Sequence, residues 1–160
     1  MAHATTTVRI PRPAETVFDA IVQHAWTNEF AWEPEVVSVR PLDGGVPRIG
    51  ARVARTVRQG GKEQTSTYEI TALEPSRRLA VRNVQGAMEF ALEILVVPAG
   101  SAASDVTAAV DMKPRGAMRI LAPVFALMAP GRNKRITNEM ARVIEAQTSS
   151  PASGEALAPA

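Results

Sequence analysis

The sequence predicts an α+β fold in which a curved, seven-stranded antiparallel sheet wraps around one long C-terminal helix. Three observations support this prediction: an alternating first strand, a middle region of short strands separated by turn residues, and a final segment with helical spacing. With 160 residues, 46% of them apolar and 21% charged, the chain has the size and balance of one globular domain. Cysteine is absent, which excludes disulfides and thiolate chemistry.

A change of period marks the first strand and the helices after it. Residues 5–10 alternate polar and apolar side chains, which favours a strand. From residue 13 to residue 22 the apolar side chains recur at helical spacing, and Pro13 suits a first helical turn. A second short helix or an irregular turn is expected around residues 25–32, before Pro34. We therefore expect two short helices after the first strand.

Six further strands are predicted, at residues 36–40, 51–58, 62–73, 78–84, 87–97 and 106–112. Turns that contain glycine, at residues 59–61 and 85–86, join neighbouring strands as hairpins. In the strand at residues 87–97, apolar side chains alternate with Glu89 and Glu93. The sheet is therefore predicted to have one dry face and one wet face.

A long helix is predicted over residues 117–147, with kinks at Pro123 and at Pro130. Its second half places an apolar stripe where it can pack on the sheet, formed by Ile136, Met140, Val143 and Ile144. Residues 148–160 are rich in Pro, Ala, Ser and Gly and are expected to be a disordered tail. One domain is therefore predicted over residues 1–147.

Two stretches carry a resemblance to a known family. Residues 10–19 read IPRPAETVFD, a strand that turns sharply into a helix, and residues 68–76 read YEITALEPS, followed by Arg78 and Leu79. They resemble motifs of the START-like superfamily, also called SRPBCC, and within it of the polyketide cyclase/dehydrase and lipid-transport group. The resemblance covers residues 5–147. The glycine-rich loop of the plant allergen branch and the cofactor motifs of the ring-hydroxylating oxygenase branch are absent.

The resemblance implies the helix-grip fold, with a cavity between the concave face of the sheet and the C-terminal helix. Across the superfamily this cavity holds lipids, sterols, hormones or polyketide-like aromatics. We therefore expect binding or transport of a small hydrophobic ligand. A polyketide cyclase or dehydratase-like enzyme is the alternative, and the sequence leaves open whether any reaction is catalysed. No cofactor is expected.

The predicted ligand site combines aromatic, polar and apolar side chains. The aromatic cluster of Trp26, Phe30 and Trp32 would either cover a ligand or close the end of the sheet as core. Arg55, Tyr68 and Asn83 share the dry face and would orient the polar end of a ligand, unless a register shift at Gly60 and Gly61 turns Arg55 to water. The apolar lining is predicted to comprise Phe90, Leu92, Val110, Met112 and Met128.

Catalytic candidates are few. His24, Arg55 and Tyr68 are the only side chains that suggest acid–base chemistry, and His24 is expected simply to end the first helix. Two histidines 21 positions apart give no metal signature, so no metal site is predicted. Glu33 and Glu35 are interpreted as solvated loop carboxylates.

Partners and location are predicted from charge and hydropathy. The net charge is only +2 and the arginines are scattered, which argues against nucleic-acid binding. The longest uncharged run, residues 120–131, is too short for a transmembrane helix, and a cytoplasmic location is expected. The apolar stretch at residues 118–128, followed by Arg132, Lys134 and Arg135, leaves transient membrane contact and a homodimer open.

Overall fold

The computed structural model describes residues 2–85 and 88–148, which form a seven-stranded antiparallel sheet, a helix after the first strand and a long C-terminal helix. In chain order the elements are β1 (Ala2–Ile10), α1 (Ala14–Thr27), β2 (Val36–Pro41), β3 (Arg52–Gln59), β4 (Lys62–Glu74), β5 (Arg78–Gln85), β6 (Met88–Pro98), β7 (Ser104–Pro114), a 3₁₀ turn (Gly116–Leu121) and α2 (Ala122–Gln147). The strand order β1-β7-β6-β5-β4-β3-β2 is that of a meander whose first strand lies beside its last. The predicted fold class is confirmed.

One local feature differs from the prediction. Instead of two short helices, α1 is a single helix, and residues 28–35 after it are not helical. The helix ends because Asn28 adopts the left-handed conformation with φ 60°, and its backbone N–H donates to the His24 carbonyl at 3.1 Å. Asparagine tolerates this conformation better than most residues, so it ends the helix as glycine would.

The β3–β4 hairpin fixes which side chains face inward. Gln59 pairs with Lys62 across Gly60 and Gly61, which both have positive φ angles as this tight turn requires. The pairing continues without a shift, so Arg55 stays on the inner face. The register shift that would turn Arg55 to water does not occur. The predicted turn at residues 85–86 extends beyond the described residues.

The C-terminal helix packs along β1 and β7. Ile144, Met140 and Val143 are buried in the main core, as the helical spacing predicted. Farther toward the start of α2, Asn133 donates to the Ala108 carbonyl of β7 at 3.0 Å. Pro130 lies inside the helix, whereas Pro123 lies in its first turn. No helix among the described residues carries an apolar stretch long enough to cross a bilayer.

The end of α2 is tied to the start of α1. Arg12 donates to the Glu145 carbonyl at 2.6 Å and to the Thr148 hydroxyl at 3.0 Å. Thr148, which was predicted to begin a disordered tail, is therefore part of the folded domain. The remainder of that predicted tail, residues 149–160, lies outside the described residues.

Candidate ligand-binding site

A buried group of charged and polar side chains lies where residues 28–35 cross the sheet. Arg55 forms an ion pair with Glu33 at 2.6 Å, and the His24 Nε2 atom lies 3.4 Å from the same carboxylate oxygen. The other ring nitrogen of His24, Nδ1, is 2.7 Å from the Phe30 carbonyl. Glu33 is therefore not the solvated loop carboxylate that the sequence suggested, because only 13% of its side chain is exposed.

The charge state of Glu33 follows from its neighbours. Burial alone would raise the pKa of Glu33, but the hydrogen bond with His24 and the positive charge of Arg55 outweigh it and lower the pKa to about 2. Glu33 is thus a fixed anion near neutral pH. Both ring nitrogens of His24 are therefore engaged within the protein. Arg55 is held by its ion pair with Glu33, but its buried Nε atom has no hydrogen-bond partner among the described residues.

The two tryptophans belong to the core. Trp32 stacks on His24 with ring centroids 3.6 Å apart, and Trp26 and Trp32 are each 5% exposed. Of the three aromatic residues predicted to cover a ligand, only Phe30 stays partly exposed, and it packs against the same core. Trp26 and Trp32 are thus core side chains, and Trp32 also lines one of the cavities described below.

Tyr68 and Phe90 meet in the middle of the inner face. Their rings make an edge-to-face contact with centroids 5.7 Å apart, and the Arg55 guanidinium lies 6.0 Å from the Tyr68 ring centroid. Burial raises the pKa of Tyr68 above its ordinary value, so its hydroxyl carries its proton at neutral pH. Within residues 2–85 and 88–148 this hydroxyl makes no hydrogen bond.

The Asn83 side chain links β5 to β6. Its Oδ1 atom accepts the Phe90 backbone N–H at 2.7 Å, and its Nδ2 atom donates to the Met88 carbonyl. The side chain therefore replaces ladder hydrogen bonds between β5 and β6 beyond Arg82 and Ala91, the last pair of that ladder. With both polar ends bonded to backbone, Asn83 has little left with which to orient a ligand.

The apolar side chains of the inner face fall into two separate clusters. The main core contains Ile94 and Val96, with Leu92 packed against it. The second cluster consists of Ala2, Ala4 and Ala129, with Met112 and Phe125 packed against it. Three partly buried apolar side chains on the inner face of β6 and β7 belong to neither cluster: Met88, Phe90 and Val110.

One side of the first half of α2 carries Met128. Met128, 63% exposed, lies one and two turns before Arg132 and Arg135, so the three side chains share one side of the helix. Arg135 donates to Glu35 at 3.2 Å, which shows that this side faces the segment before β2. Met128 therefore lies exposed on the side of α2 that carries Arg135.

Two cavities lie near these residues. One of about 370 Å³ is lined by Asn83, Phe90 and Met112 together with charged side chains of the opposite strand face, namely Arg82, Glu89, Asp111, Lys113 and Arg115. The other, about 200 Å³, lies between residues 32–35 and Arg135, Ile136 and Glu139 of α2. Neither of these two is an enclosed apolar chamber. The described residues contain no cluster of side chains suited to hold a metal ion.

The strand order and the position of α2 define a START-like, helix-grip protein. The chain belongs to the polyketide cyclase/dehydrase and lipid transport family, whose model matches residues 1–146. A search of curated protein sequences finds no match.

Solved structures share the fold at low sequence identity. TTHA0849 from Thermus thermophilus is similar with a TM-score of 0.73 and 14% identity, over 92% of this chain and 99% of that one. A START superfamily protein from Mycobacterium smegmatis gives a TM-score of 0.68 and 15% identity over 92% and 97% of the two chains. The Zhui aromatase/cyclase from Streptomyces sp. R1128 gives 0.67 and 20% over 91% and 92%.

Proposed function

We propose that the protein binds a small hydrophobic ligand in the groove between the inner face of the sheet and the first half of α2. The observation that carries this proposal is the gap between the two apolar clusters. Met88, Phe90 and Val110 lie in that gap, and each keeps apolar surface that nothing in the described chain covers completely. A ligand that fills the gap would remove this surface from water, which stabilises the complex by about 25 cal/mol per Å².

The polar end of such a ligand would meet Tyr68. Its protonated hydroxyl has no hydrogen-bond partner among the described residues and can donate to a carbonyl, phenolate or carboxylate oxygen. The Arg55 guanidinium lies over the Tyr68 ring, 6.0 Å from its centroid, and the buried Nε atom of Arg55 finds no partner among those residues either. We therefore expect an amphipathic ligand with an apolar body and one oxygen acceptor. The family description, which includes lipid transport, supports this class.

Fluorescence of anilinonaphthalene sulfonate, an aromatic probe with one anionic group, tests the proposal. Phe90→Ala should weaken probe binding about tenfold, because it removes the largest wall of the groove. Val97→Ala is the matched control on the same strand, since Val97 is exposed on the other face, and it should bind as wild type does. Equal binding by both variants, or the lack of any saturable binding by wild type, would contradict the proposal.

A cyclase-like reaction is the second candidate, and one observation favours it. Tyr68 is a partly buried, protonated phenol on the inner face, which is a suitable proton donor to an enolate oxygen. Tyr68→Phe should then lower turnover of a poly-β-ketone thioester about 100-fold, a far larger loss than the loss of one hydrogen bond causes in probe binding. If wild type and Tyr68→Phe leave the thioester equally unchanged, the protein is a binding protein without this activity.

A further inference from the structure

Apolar side chains are concentrated on the outward side of the 3₁₀ turn and the start of α2. Ile120 and Leu127 are each 83% exposed, and Val124 between them is 50% exposed. Together with Leu121 and Met128, these residues account for five of the ten exposed large hydrophobic side chains in the described chain. Apart from Met128, which lies on the side of α2 that faces the segment before β2, four such side chains within eight residues form a patch of the kind that marks an interaction site. We call Ile120, Val124 and Leu127 the outer apolar stripe.

Positive charge surrounds the outer apolar stripe. Residues 113–135 contain six Lys and Arg residues and no Asp or Glu. Arg115 and Arg135 form ion pairs with acidic residues elsewhere, but Arg119, Arg132 and Lys134 form none within the described part of the chain. Lys134 follows Leu127 by two helical turns and so lies on the same side of α2, about 10 Å farther along the helix.

The combination of charge and apolar surface selects one occupant. A second copy of this chain docked on this surface would bring two sets of basic residues together, and like charges repel. Nucleic acid would match the charge but would leave Ile120 and Leu127 against phosphates. An anionic lipid surface satisfies both features, because apolar side chains enter the acyl boundary while basic side chains meet the headgroups.

We propose that the outer apolar stripe and the basic residues around it dock the protein on anionic phospholipid bilayers. Docking places the start of α2 in the plane of the interface, with Arg119, Arg132 and Lys134 at headgroup level. The groove opens beside this surface, since Met128 adjoins Leu127 on the helix. This proposal rests on exposure and charge alone, so it stands or falls independently of ligand binding in the groove.

Co-sedimentation with vesicles tests the proposal, using phosphatidylcholine vesicles with and without about 30 mol% phosphatidylserine. Wild type should bind only the vesicles that contain phosphatidylserine, and binding should weaken as salt is added. Leu127→Glu and Arg132→Glu should each weaken binding at least about tenfold. Ile49→Glu and Arg40→Glu are matched controls, because both residues are exposed on or beside the β2–β3 loop, and they should bind as wild type does.

Three results would overturn the proposal. One is equal binding to the two kinds of vesicle, and another is an equal loss in Leu127→Glu and Ile49→Glu. The third is a dimer in solution that Leu127→Glu converts to a monomer while wild type ignores vesicles, since the stripe would then be a subunit interface. Thermal unfolding of each variant, compared with wild type, separates loss of docking from loss of folding.

Discussion

At the scale of single residues, the most consequential feature is a charged group taken into the core with its partners. Arg55 and Glu33 are each less than one quarter exposed and are paired at 2.6 Å. Removing one partner of such a pair leaves the other charge buried without compensation. We therefore expect Arg55→Ala to lower the free energy of unfolding by about 3 kcal/mol in urea denaturation.

The neighbouring Arg52 provides the control for this substitution. It lies on the same strand, is 53% exposed on the outer face and pairs with Glu69 at 3.3 Å. Exposed ion pairs contribute little, so Arg52→Ala should cost less than about 1 kcal/mol. Similar losses in Arg55→Ala and Arg52→Ala would show that the buried pair has no special role in stability.

The lowered pKa of Glu33 makes a second residue-scale prediction, about pH. A carboxylate with a folded-state pKa of about 2 and an ordinary value of 4.5 stabilises the fold above pH 4.5. That contribution, on the order of 3 kcal/mol, is lost as the pH falls from 4.5 through 2. Urea midpoints measured across this window should fall less steeply in Glu33→Gln than in wild type.

Glu63 is the control for the pH series. Its side chain is 49% exposed and pairs with Arg58 on the β3–β4 hairpin. Glu63→Gln should leave the wild-type slope in place. A Glu33→Gln slope equal to that of wild type would mean that Glu33 is not held as an anion in the folded state.

Residue-scale prediction succeeded for Tyr68 and only in part for Arg55. Alternation along the strands placed both on the inner face, but it left open a register shift that would turn Arg55 to water. A buried arginine needs a partner, and this requirement could have pointed to an acidic side chain such as Glu33. Spacing along the sequence carried no such signal, because the two residues meet only when residues 28–35 cross β3.

At the scale of elements, the strands were predicted within a few residues because a period of two is hard to mistake. β1 and β7 extend farther than predicted, from Ala2 and to Pro114, since Ala2 pairs with Met112 and Pro114 pairs with Met88 of β6. The first helix was predicted to end near residue 22 and to be followed by a second short helix or an irregular turn, whereas α1 continues to Thr27. Packing of His24 and Trp26 in the core keeps the last turn helical.

The two prolines of α2 support a prediction at this scale. Pro130 interrupts a hydrogen bond inside the helix, whereas Pro123 occupies the first turn, where the missing N–H has no partner to lose. Both are exposed, so a substitution by alanine disturbs little packing. Pro130→Ala should raise the free energy of unfolding by about 1–3 kcal/mol, and Pro123→Ala should change it by less than about 0.5 kcal/mol. Equal effects in urea denaturation would contradict this account of α2.

At the scale of the whole molecule, the resemblance predicted the arrangement of sheet and helix but not how far the space between them is filled. That depends on how closely α2 approaches the sheet, which the small residues Ala2, Ala4 and Ala129 decide. Their close contact brings the start of α2 onto the β1 edge. The inner face of β5 and β6 is consequently left partly uncovered, and a strand pattern alone cannot reveal this.

The uneven packing of α2 predicts uneven dynamics. In its second half Met140, Val143 and Ile144 are anchored in the main core, whereas residues 122–130 have only Ala129 buried. Local opening requires little free energy where few apolar contacts are broken. Hydrogen exchange measured by mass spectrometry should therefore be faster at residues 122–130 than at residues 136–147.

Ligand binding should change only one of these two halves. A molecule in the groove contacts Met128 and stabilises the start of α2, so saturating anilinonaphthalene sulfonate should slow exchange at residues 122–130. Exchange at residues 136–147 should hardly change, because that half is already packed without ligand. Slowing confined to the second half, or spread evenly along α2, would place the probe outside the groove. In that case a ligand would not stabilise the first half of α2, which the core leaves without support.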